Sequence, residues 1–299
     1  MCLVAAKYFP RVGWVGCKNR DRGYIPLIKI VQSNRNGIQR LYLDDSESRY
    51  TEGINEFGVS ILSASLAVKA DEKEGDKAAS KKSKKSSSAY MSPDGKKIRD
   101  ALFKKTPLDA VKYLIDEKLS GSTLVFNEKE CYVLELGKEI DDDEKTYEHS
   151  YKKIDPDEVI VRTNHGIMLP QYGYEKDSDD PDEVRSRKSS EVRRRIVLDE
   201  LDKITDPSEM MDAMSVRREN VKDVAYMNPI RTGDIGKNEM VTTGQIMLTP
   251  AERTMHYRPI HSNVEFSYTN INTPKSKTFF EIISNRRLLG FKEFLVKRK

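Results

Sequence analysis

Apolar and polar positions alternate through the first part of the chain. The runs CLVAAKY, VGWVGCK, IPLIKIVQ, IQRLYLD and FGVSILSASLAV are β-branched or alternating, and NRNG and DDSES between them carry turn residues. A period of two lines one face of a strand, so this stretch predicts a multi-stranded antiparallel sheet beginning at the N-terminus. The pattern then stops. Residues 70–96, ADEKEGDKAASKKSKKSSSAYMSPDGK, lose nearly all apolar content and predict a flexible surface insert.

Helical spacing follows in GKKIRDALFKK and PLDAVKYLIDEKL, the second with Leu108, Val111, Leu114 and Ile115 on one face and Pro107 suited to its first turn. STLVFN and ECYVLEL flank EKE as a hairpin, and EVIVRTN reads as a further strand. Charged loops are expected at about 138–156 and 174–188, a long helix from about Ser189 to Ile204, and another helix from DPSEMMDAMS. The strands EMVTTGQIMLT, TMHYRPI, VEFSYTNI and KTFFEIIS close the chain. Strands, helices, strands, helices, strands exclude a simple βαβ alternation. The order fits one α+β domain over residues 1–299, with two sheets stacked between helical layers and no internal repeat.

Charge changes this picture little. The 52 basic residues face 48 acidic ones, and a net charge of +4 gives no argument for nucleic acid, the runs KKSKK and VKRK reading as solvated segments. No apolar run reaches the ~18 residues of a membrane helix. The opening CLVAA stops at Lys7, so no signal peptide is expected and the chain reads as cytoplasmic. Cys2, Cys17 and Cys131 show no metal or disulfide spacing, and His149, His165, His256 and His261 are scattered, so neither a metal nor another cofactor is expected. Cys131, inside ECYVLEL, reads as a buried strand residue.

Cys2 is the residue with candidate chemistry. Methionine aminopeptidase removes an initiator methionine when the next side chain is small, which would leave a thiol and a free α-amine on one residue. The amine titrates near ~7.7 to 8 and a thiol near ~8.5, so the amine can take the thiol's proton. Such a residue is a nucleophile that carries its own base.

Four segments together resemble the choloylglycine hydrolase and penicillin acylase group: the Met-Cys start, KNRD at Lys18 to Asp21, EGINEFGVSILSAS at Glu52 to Ser65, and VRTNHG at Val161 to Gly166. The resemblance runs, with gaps, to about residue 205. It implies an N-terminal nucleophile (Ntn) hydrolase with a four-layer αββα sandwich of two antiparallel sheets. It makes Cys2 the nucleophile and lets Asp21, in a turn, accept a hydrogen bond from the amine or thiol. Lys18 stands where relatives have Arg, keeping the charge without the planar fork. Asn164 would donate its side-chain amide to the tetrahedral oxyanion. Ser65 falls where relatives carry an Asn or Tyr near the oxyanion, and would contribute its hydroxyl or its backbone N–H. SSEVRRRIVLDEL resembles the segment in which relatives place a Ser and an Arg beside the pocket, an Arg that maps to Arg194 or to Arg193.

The resemblance implies an amidase that opens a linear C–N bond through a thioester, or an acyltransferase if another acceptor outcompetes water. The substrate would be a small N-acyl amide, with no membrane partner and nucleic acid disfavoured, a nucleic-acid-associated module using KKSKK and VKRK being the weakest reading, and the oligomeric state stays open, a homo-oligomer included. Relatives act on conjugated bile salts, penicillins and acyl-homoserine lactones. The alternative is an inert Ntn fold with a structural or binding role, which the Lys18 and Ser65 departures favour.

Overall fold

The computed structural model describes residues 2–66, 69–70, 93–141, 144–174, 178–221, 223–233, 239–260 and 266–269. The early alternation becomes β1 (Cys2–Phe9), β2 (Gly13–Arg22), β3 (Ile28–Arg35), β4 (Ile38–Asp45), β5 (Thr51–Asn55), β6 (Ser60–Ala64) and the short β7 (Lys69–Ala70). Helices α1 (Pro93–Ala101) and α2 (Pro107–Asp116) follow, then β8 (Gly121–Phe126), β9 (Cys131–Asp141), β10 (Glu144–Ile154) and β11 (Ile160–Arg162). Helices α3 (Pro181–Leu201), α4 (Met210–Ala213) and α5 (Val224–Met227) precede β12 (Val241–Thr249), β13 (Thr254–Pro259) and β14 (Phe266–Thr269). Most of the expected insert, residues 71–92, and the expected strand KTFFEIIS lie outside the described residues.

Two sheets form. One has the order β11-β1-β2-β12-β13-β14, and the other β10-β9-β8-β6-β5-β4-β3 with β7 parallel on β9. All other pairings are antiparallel. The β3–β4 turn shows how local chemistry sets register: Asn36 and Gly37 take φ of 57° and 73°, and Arg35 pairs with Ile38 across them.

Alternation places three cores in four layers. Val4, Ala6, Trp14, Ile246 and Leu248 of the first sheet pack between the sheets against Leu41, Ile54, Leu62, Leu124 and Phe126 of the second. The other face of the first sheet, Leu3, Ala5, Val15 and Cys17, packs on Val197, Leu201, Met210 and Met214. The outer face of the second, Val59, Ile61, Val125 and Leu134, packs on Ile98 of α1, Leu102 just after it, and Val111 and Leu114 of α2. This is the expected α+β sandwich with helices outside and two antiparallel sheets inside.

Three local expectations change. The stretch 138–156 is mostly the β9–β10 hairpin, paired from Cys131↔Ile154 to Asp141↔Glu144. The helix expected from Ser189 starts at Pro181 and ends at Leu201, because the Asp180 side chain caps Asp182 N at 2.9 Å and Pro181 occupies the first turn. KNRD is strand and no turn: Lys18 pairs with Val4 on one side and Ile246 on the other.

Candidate active site

Topology brings the N-terminus to the far end of a short edge strand. β11 runs antiparallel to β1 with Val4 opposite Arg162, so the chain leaving β11 passes the start of β1 and delivers Asn164 to Cys2. Cys2 N–H donates to Asn164 Oδ1 at 2.9 Å. Asn164 Nδ2 donates to the backbone oxygen of Ser65, just past β6, at 2.5 Å. One amide side chain thus ties three segments together.

The Asn164 segment is itself held from behind. Ser190 of α3 is a hub: its hydroxyl accepts from Asn164 N–H at 3.2 Å, donates to Thr163 Oγ1 at 2.7 Å and lies 2.7 Å from His165 Nδ1. Burial, helped by the Arg187 charge, lowers the His165 pKa to about 4, which keeps the ring neutral. Further on, Glu135 of β9 accepts Arg162 Nε at 2.9 Å and the backbone N–H groups of Ile167, Met168 and Leu169 at 2.9, 2.7 and 3.1 Å. A buried carboxylate with four donors fixes the loop after Asn164.

The inner face of β2 is charged where it approaches Cys2. Lys18, Arg20 and Arg22 recur every second residue and therefore point the same way. Lys18 and Arg20 both pair with Glu52 of β5, and Lys18 Nζ also donates to Ser63 O at 2.6 Å. Arg20 reaches Asp45 at 3.1 Å and Arg22 Nε reaches the same oxygen at 3.2 Å. Arg22 Nη1 donates to Asp21 O at 2.8 Å and lies 3.5 Å from Cys2 Sγ. Burial pushes the Cys2 thiol up, but the Lys18 and Arg22 charges outweigh it and bring the thiol down to about 6. Burial likewise raises Glu52 and Asp45, and their cations hold both carboxyls below the usual range.

The expected site residues divide. Cys2, Asn164 and the Ser65 backbone meet directly. Ser65 takes part through its carbonyl, with its side chain exposed, and neither the expected hydroxyl nor N–H contact to the site is made among the described residues. Lys18 acts on Cys2 through its charge while its ammonium is committed to Glu52 and Ser63. Asp21 sits on the opposite face of β2, because successive strand residues alternate. Its oxygens engage Thr242 Oγ1 at 2.7 Å, Arg193 Nη1 at 2.7 Å and Arg231 Nε at 3.8 Å, in place of a described contact with the Cys2 nitrogen or sulfur. Helical phase separates the two arginines: Arg193 shares the buried face with Ser190 and Val197, whereas Arg194 Nε turns to Val161 O at 3.2 Å. Of the two, Arg193 is the arginine that reaches Asp21.

Arg20, Arg22, Asp45, Glu52 and Arg231 escape the sequence reading, whereas Ser190 lies in the SSEVRRR segment whose serine the resemblance places beside the pocket. For Arg20 and Arg22 the signal was present, since i, i+2 and i+4 charges in a strand share a face. Asp45, Glu52 and Arg231 are partners across long separations, which no local pattern marks.

No family model matches the chain, and no curated protein matches it. Among solved structures it is similar to penicillin V acylase from Agrobacterium tumefaciens, at 11% identity and TM-score 0.43 over 90% of this chain and 86% of that one. It is also similar to two variants of conjugated bile acid hydrolase from Clostridium perfringens. The first is at 12% identity and TM-score 0.45, covering 96% of this chain and 97% of that one. The second is at 11% identity and TM-score 0.47, covering 97% and 99%.

Proposed function

We propose that the protein is a cysteine amidohydrolase of the Ntn class, akin to the choloylglycine hydrolase and penicillin acylase group, acting on a small N-acyl amide. The observation that carries this reading is the meeting at Cys2 of a thiol lowered to about 6, a nitrogen held by Asn164 Oδ1 at 2.9 Å, and the Arg22 guanidinium at 3.5 Å from sulfur. Cleavage of the peptide bond before Cys2 turns that nitrogen into an α-amine beside the sulfur. Sulfur then attacks the substrate carbonyl, the α-amino group protonates the leaving nitrogen, and water resolves the thioester with the amine as base. Asn164 Nδ2 has two N–H groups; one goes to Ser65 O, and the other is assigned to the oxyanion. An amine or thiol acceptor in place of water gives acyl transfer from the same site.

One observation favours the second reading, a fold without turnover: Cys2 is only 4% exposed. A panel of N-acyl amino acids and chromogenic anilides, run with wild type and Cys2→Ala, separates the two. Release of amine by wild type alone supports the amidase. Release by neither favours the inert fold, and equal release by both contradicts Cys2 as the nucleophile.

A further inference from the structure

The inner face of β2 carries three cations against two carboxylates. Lys18, Arg20 and Arg22 meet Glu52 and Asp45, which are shared among them, and no other carboxylate pairs with these cations among the described residues. An unbalanced charge in a protein interior is strongly disfavoured unless a counter-charge lies close. The group at the open end of this cluster is the Cys2 sulfur. Lys18 and Arg20 are 0% exposed and committed to Glu52 and Asp45, whereas Arg22, at 12%, is outermost and the one whose guanidinium touches sulfur. That guanidinium is held in place by Asp45 through Nε and by the Asp21 carbonyl through Nη1.

We propose that Arg22 is the positioning residue that holds Cys2 as a thiolate in the resting protein, so that the α-amino group waits as an ammonium. The inference rests on the reading of Cys2 as the nucleophile and changes its first step. The thiol proton has already left when substrate arrives. The thiolate forms the S–C bond and the carbonyl π pair moves to oxygen. As that pair returns, the C–N bond breaks, its electrons go to nitrogen, and the ammonium supplies the proton, leaving a thioester and a free amine. Water then gives one proton to the neutral α-amine while its oxygen adds to the thioester carbonyl. The C–S bond breaks toward sulfur, releasing the acid and restoring thiolate and ammonium.

The charged and titratable side chains that act on Cys2 are Lys18, Arg22 and Asp21 from β2 and Tyr50 from the turn before β5. Asp21 opposes the cations but is matched by Arg193 and Arg231 on the other face. The effect is reciprocal: burial works against the Arg22 charge, and the Cys2 and Glu52 charges hold that guanidinium above its usual range.

The test is an ultraviolet titration of thiolate absorbance in protein beginning at Cys2, taken as the difference from Cys2→Ala, in wild type, Arg22→Gln and Arg22→Lys. Wild type should titrate near 6. Arg22→Gln should titrate at least one unit higher, and a one-unit rise lowers the thiolate fraction at pH 6 about fivefold. Arg22→Lys, which keeps a charge without the fork, should fall between. A wild-type midpoint near 9, or a folded Arg22→Gln with an unmoved midpoint, overturns the proposal. The readout does not need turnover: shifted midpoints without amide cleavage would uphold Arg22 while ending the amidase reading.

Discussion

Asn164 holds Cys2 across 162 residues of sequence, its Oδ1 accepting the Cys2 N–H at 2.9 Å while its Nδ2 grips the Ser65 carbonyl. The contact fixes where Cys2 lies, and in the proposed mechanism the same amide is the oxyanion donor. Asn164→Ala should therefore lower kcat by roughly 10² to 10³, as loss of one oxyanion donor does. Steady-state kinetics on a cleaved amide check this. A change confined to KM would assign Asn164 to substrate binding instead.

The Ser190 hub should show in stability. Ser190→Ala removes the hydroxyl shared by Asn164 N–H, Thr163 and His165, and should cost about 1 to 3 kcal/mol in urea denaturation. An unchanged midpoint would mean that the loop is held without it.

The buried imidazole sets an acid limit. The His165 pKa is lowered from 6.5 to about 4, so the folded state binds fewer protons between these values and stability falls as pH falls. Its contribution, on the order of 3 kcal/mol, is complete above pH 6.5 and lost as pH drops through 4. Cys2 acts in a higher window: its contribution is complete above 9 and is lost as pH falls through about 6. Thermal melts of wild type and His165→Gln should diverge between pH 6.5 and 4, the variant showing the flatter slope. Parallel slopes would contradict a buried neutral ring.

Gly16 tests how closely the sheets stack. A Cβ there would lie 2.2 Å from Phe126 Cζ of the opposite sheet, so Gly16→Ala should destabilise by about 1 to 3 kcal/mol. Phe126→Leu in the same chain should recover part of that loss. A neutral Gly16→Ala would show the sheets farther apart than the Trp14 and Phe126 core implies.

The strands of the sandwich were legible because alternation reports a half-buried face, and Cys2 and Asn164 because their neighbours form short recognisable segments. The charged β9–β10 hairpin was not: Lys145, Glu148 and His149 are exposed, so no apolar face marks a strand. The first half of α3 hid in the same way, although Asp180-Pro181 carried the signal that was used at Asp206-Pro207. Asp45 and Glu52 could not be read locally, because a buried carboxylate is recognised by cations that the fold brings from β2.

The most direct test of the central claim is amide turnover by two forms of one protein, one beginning at Cys2 and one with residues retained before it. A retained residue makes the Cys2 nitrogen an amide that cannot carry the proton, while the thiol, Arg22 and Asn164 stay in place. Amine release is expected from the form beginning at Cys2, confirmed by intact mass, with loss of that activity in the blocked form and an unchanged melting transition. Equal turnover by both forms would rule out the α-amine as the base.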